Sequence, residues 1–127
     1  MNNRLSWTCQ VVSAVVLGGA GIMKYLGNST DHFVFTQLEM EPFGRLLIGS
    51  IELLAALSLV TGCAAAPGAL LAIATMLGAA IAHVSVLGFE VQGDGGLHIL
   101  LLSIVLVTSG PVLLARRREL PVIGMTL

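Results

Sequence analysis

Polar residues in this chain fall in short clusters between four long apolar stretches. The stretches run Leu5–Leu26, Phe43–Gly62, Gly68–Phe89 and Leu97–Ala115. Each is near the roughly 20 residues a helix needs to cross a hydrocarbon core of about 30 Å. Strand-like alternation is absent, and a lone strand in lipid would leave its backbone groups unpaired. All four therefore read as helices. Between the first two lies "GNSTDHFVFTQLEMEP", which reads as the one sizeable polar connection. "CAAAP" joins the second and third, and its Pro67 suits the start of a helix. "EVQGDGG" separates the third and fourth. No soluble domain fits in what remains, so residues 1–127 read as one all-α domain, a bundle of four transmembrane helices.

Composition supports this pattern. The chain is 56% hydrophobic and 10% charged, with 15 glycines, whereas soluble domains carry about 25% charged residues. Mean hydropathy is +0.96. Such a chain cannot supply both a core and a solvated surface, so its outside is expected to face lipid in the cell (inner) membrane. The net charge of −1, with no basic stripe, excludes nucleic acid as a partner.

The cations set the expected orientation. Arg4 lies near one end of the chain and Arg116, Arg117 and Arg118 near the other, and four spans put both ends on one side. The opposite side carries Asp31, Glu39, Glu41, Glu90 and Asp94 against Lys24 and Arg45. The positive-inside rule then places both termini in the cytoplasm. The first stretch is long for the apolar region of a signal peptide, so it reads as a retained span.

Depth brings certain polar groups together. Arg45 and Glu52 are seven residues apart, about 10 Å along one helical face. His83 lies seven residues before Glu90, at similar depth on the third helix. Lys24 is near the end of the first helix and His98 at the start of the fourth. All four helices thus deliver an ionisable group to the outer half, and no comparable cluster is expected in the inner half. Helix 1 aligns Gln10, Ser13, Leu17, Gly21 and Lys24, and helix 2 aligns Arg45, Gly49, Glu52, Ala56 and Cys63. Small residues in such stripes let helices approach closely. Intramembrane charges face the bundle interior and pair, so Glu52 is expected to meet Lys24, Arg45 or His83.

With "AGIMKYLG" closing helix 1, "PFGRLLIGSIELLAALSLVTG" as helix 2 and His83 on helix 3, the chain resembles the DoxX/DoxX-like family of small four-helix membrane proteins. The resemblance runs from about Val12 to Ala115. It implies the four-helix fold and matches Lys24, Arg45, Glu52 and His83 as site positions; His98 and Glu90 are added from depth alone. It also implies a spread of roles: subunits of a thiosulfate:quinone oxidoreductase, parts of other redox-associated complexes, or assembly factors for ligand-gated channels. A quinone is the cofactor this suggests.

The expected function is a site formed by Lys24, Arg45, Glu52, His83 and His98 that binds a small anionic or quinone-like molecule, as part of a redox-associated subunit. Charge-assisted hydrogen bonds from the cations would hold such a head group. The chain shows no motif that names a reaction. Two alternatives stand beside it. One is a structural or chaperone-like module assembling another membrane or redox protein. The other is a proton-coupled exporter, which the placement of the carboxylate on helix 2 beside cations disfavours. Each polar residue also has a structural reading: an ion pair fixing register for Glu52, a snorkelling or headgroup anchor for Lys24 and Arg45, and a helix cap for His98. Glu52, His83 and His98 have metal-ligand chemistry, but the adjacent cations argue against a metal. Cys9 and Cys63 form no Cys-x-x-Cys pair and read as bystander thiols. Gly/Ala-rich stretches such as "LGAAIAH" allow a homo-oligomer.

Overall fold

The computed structural model describes residues 1–121; residues 122–127 of the expected single domain lie outside the described residues. Within it, α1 spans Asn3–Leu26, α2 Ser29–Gln37, α3 Phe43–Leu59, α4 Ala65–Ala82 and α5 Leu97–Ala115. A π-helical turn, His83–Leu87, extends α4, and a 3₁₀ turn, Arg117–Glu119, follows α5. No strand occurs among the described residues. Three helical stretches are long and apolar enough to cross a membrane: Asn3–Leu26, Ala65–Leu87 and Leu97–Ala115. The 17 residues of α3 cover about 25 Å at 1.5 Å per residue.

Two sequence expectations change here. The segment 27–42 is not a plain polar connection, because it contains the two-turn helix α2. Asn28 caps it, accepting from the Thr30 N–H at 3.1 Å, and Asp31 adds a negative charge in the first turn where the helix dipole favours one. Gly27, at φ 71°, ends α1 by taking the left-handed conformation, so the chain turns straight into α2. Boundaries also shift. The third long helix begins at Ala65 rather than Gly68, with Pro67 in its first turn, where an N–H is not needed. It gives way to the π turn at His83. Pro111 lies inside α5 without ending it.

The long helices form a ring in which α1 packs on α3 and α5, and α4 packs on α3 and α5. The faces the sequence aligned are the buried ones: Gln10, Ser13, Leu17 and Gly21 of α1, and Gly49, Glu52 and Ala56 of α3. Leu17, Ala55, Leu59, Ala69, Val105 and Val112 meet at the centre. Ser13 bonds Ser109 at 3.0 Å across the α1–α5 seam, the kind of hydroxyl bridge that joins helices where water is scarce.

A second polar cluster lies at the opposite end of α1 from Lys24, in the half where no comparable cluster was expected. Arg116 donates to Ser6 Oγ at 3.3 Å, to the Gly62 carbonyl at 3.0 Å and to Glu119 at 2.9 Å. Glu119 in turn accepts from the Ala66 N–H at 3.1 Å, capping the start of α4. The turn after α5 thereby ties α1, the α3–α4 connection and α4 together.

Candidate functional site

The site starts from a close helix crossing. Gly21 on α1 faces Gly49 on α3, and a Cβ on Gly21 would lie 2.9 Å from the Gly49 carbonyl oxygen. Only two residues without side chains allow this approach. One turn further along α1, Lys24 extends over α3 and brings its Nζ to 3.1 Å from Glu52 Oε2. The same ammonium lies 3.5 Å from Asp31 Oδ1, delivered by α2. All three side chains are at least seven-eighths buried. Glu52 Oε2 has the Lys24 ammonium as its charge partner and no other donor.

Arg45 does not join this pair. Its Nε donates to Glu41 at 2.7 Å, and its Nη1 donates to the backbone carbonyl of Lys24. Arg45 thus clamps the end of α1, with its charge met by Glu41 in the turn just before its own helix. Of the three expected partners of Glu52, Lys24, Arg45 and His83, Lys24 is the one that meets it.

His83 sits in the π turn, a distortion often found at functional positions. Its Nδ1 lies 2.8 Å from the Gly88 carbonyl, and the Gly88 N–H donates to the His83 carbonyl at 2.8 Å. Because a carbonyl only accepts, Nδ1 carries the proton and Nε2 is left free. His98 is fixed in a similar way, with Nδ1 donating to Asp94 Oδ2 at 2.7 Å. Asp94 also accepts from the backbone N–H groups of Val91, Gly96 and His98. The His98 hydrogen bond, followed by these backbone donors, holds the Asp94 carboxyl well below the usual carboxylate range. Asp94, not His98, is thus the group that caps α5. The two imidazole rings lie 6.4 Å apart. Glu90 is exposed and lines neither cavity at the site.

Two cavities of about 430 Å³ each flank the Lys24–Glu52 pair, a size suited to small ligands. The first opens along the α1–α5 seam, past Val16, Ala20, Met23, Leu101 and Val105, and reaches His83. The second opens under α2 along the α3–α4 seam, past Phe35, Leu38, Ile48 and Gly78. These seams are on opposite sides of the ring. Lys24, Asp31, Glu52 and His98 border both cavities. The rest of each wall is almost wholly apolar.

Of the expected site residues, the structure brings Lys24, Glu52, His83 and His98 to one space and leaves Arg45 outside it. Sequence reasoning missed Asp31, which it assigned to a surface connection. The signal that could have found it is Asn28 followed three residues later by Asp31, the spacing of a helix start. Cys9 and Cys63 are both unpaired thiols. Among the described residues, no group of three or more His, Cys, Asp or Glu is placed to hold a metal ion.

Comparison with known protein families, characterised proteins and solved structures gave no match to this chain.

Proposed function

We propose that this chain is a DoxX-like integral membrane protein that spans the cell membrane four times with both termini in the cytoplasm. It binds a small, largely apolar molecule whose polar head meets the wall formed by Lys24, Asp31, Glu52 and His98. The carrying observation is that one buried polar wall is shared by two apolar cavities opening through opposite helix seams. Lateral openings also suit a ligand that arrives from the bilayer. Charge limits the head group. One ammonium faces two carboxylates, and Arg45 is engaged by Glu41, so an anionic head is poorly matched. A neutral quinone-like head, as the family resemblance implies, and a cationic head both fit a wall of this charge. In the quinone case the chain serves as a membrane subunit of a redox complex.

Two measurements test this reading. Native mass spectrometry of the full chain purified in lipid nanodiscs should show one small apolar molecule retained, and Leu101→Trp, which fills the α1–α5 cavity, should expel it. A reporter fused after Arg118 should be active only in the cytoplasm. A chain that never retains a ligand, or an external reporter, overturns the reading.

A further inference from the structure

The head group itself is constrained by what the wall leaves unmet. Asp31 and Glu52 carry two negative charges against the single charge of Lys24, with distances of 3.5 and 3.1 Å. The surrounding charged groups do not correct the difference. Arg45 is paired with Glu41 at 2.7 Å, and His98 is paired with Asp94 at 2.7 Å, so each of those pairs is at most neutral. His83 gives its one fixed proton to the Gly88 carbonyl. The cluster therefore has one carboxylate more than its cations can match.

Glu52 is where that surplus is exposed to a ligand. Its side chain is only 4% exposed, its Oε2 has no donor besides the shared Lys24 ammonium, and it borders both cavities. A buried carboxylate that must share its one cation is costly, and a donor that carries positive charge relieves that deficit. The rest of each cavity is mostly hydrocarbon, with Asn28 and His83 in the first and Thr75 and Ser85 in the second. Resting on the proposal that this space holds a ligand, we infer that its ligand is a lipophilic monocation: a protonated amine on an apolar body, its ammonium donating to Glu52 Oε2 and its hydrocarbon lying in a seam cavity. Quinone-like and anionic heads bring neither a donor nor a positive charge to Oε2, since a carbonyl or an anion only accepts.

The test compares three probes that share one eight-carbon chain: octylammonium, octanol and octyl sulfate. Each is titrated by calorimetry against the full chain in phosphatidylcholine nanodiscs, with empty nanodiscs correcting for partition into lipid. Octylammonium should bind saturably, while octanol and octyl sulfate give only the partition signal. Glu52→Gln should weaken octylammonium at least tenfold and Glu52→Asp should restore part of that loss. Asp31→Asn serves as a second variant that lowers the same surplus, should Glu52→Gln fail to fold. Equal or tighter binding of octyl sulfate or octanol, or octylammonium binding that neither Glu52→Gln nor Asp31→Asn weakens, overturns the inference. A retained quinone in the mass spectrum, without octylammonium binding, overturns the cation while leaving the site itself in place. No retained molecule and no probe binding removes both readings.

Discussion

Lys24 and Glu52 meet at 3.1 Å across the α1–α3 crossing, and both side chains are buried. Asp31, arriving from α2, makes the ammonium the shared partner of two buried carboxylates. This arrangement is asymmetric, and the asymmetry is measurable.

Lys24→Met should destabilise the fold more than Glu52→Gln. Removing the lysine leaves two buried carboxylates facing each other, a loss of about 3–5 kcal/mol for a desolvated pair. Removing the Glu52 charge leaves Lys24 still paired with Asp31, so the loss should be smaller. Thermal unfolding of both variants in one detergent checks the order. The reverse order would mean that Asp31 does not share the lysine.

Gly21→Ala should also weaken the bundle. The new Cβ meets the Gly49 carbonyl at 2.9 Å and the Leu53 side chain at 2.8 Å, and backbone cannot swing aside as a side-chain tip can. Overpacking of this kind costs about 1–3 kcal/mol. Gly19→Ala is the control, because nothing lies within 4 Å of its added Cβ. Equal melting temperatures for the two variants would contradict the close crossing.

Arg116→Ala should release the other end of the molecule. Its guanidinium reaches Ser6, Gly62 and Glu119, and hydrogen bonds to charged groups contribute about 1.5–3 kcal/mol. Hydrogen exchange should quicken in the first turn of α4, where Glu119 caps Ala66, while the Lys24 end stays protected. Unchanged exchange at Ala66 would show that the 3₁₀ turn does not hold α4.

Acid should loosen the start of α5. The Asp94 carboxyl is held below its ordinary value of 3.8, first by His98 and then by backbone donors. A depressed folded pKa stabilises the ionised form, so its contribution is fully present above the ordinary value and is lost as pH falls below it. Asp94→Asn should remove this acid-dependent loss and lower stability at neutral pH. A pH series of melting temperatures for the two proteins reads the difference. Parallel curves between pH 5 and 2 would refute the assignment.

Much of this protein was legible along the chain. Leu97–Ala115 is recovered with the same bounds, and the stripes through Gly21 and Gly49 are the faces that pack. Both follow from local facts, because hydrophobic length and a 3.6-residue period need no knowledge of neighbours. Glu52 was expected to be buried because a charge within a span faces the bundle interior. Its partner was not fixed by depth, since Lys24, Arg45 and His83 all reach a similar level. The choice of Lys24 depends on how closely α1 crosses α3, and Arg45 is drawn away by Glu41 one turn earlier. Asp31 enters the site only because Gly27 turns the chain and α2 folds back over the ring. The polar cluster at Arg116 joins residues from the two ends of the chain, which a reading by segment cannot bring together. Sequence determined which faces are apolar and that Glu52 is buried. Tertiary structure decided which charges share a partner, because ion pairing depends on separations of a few ångströms between helices that the order of residues does not specify.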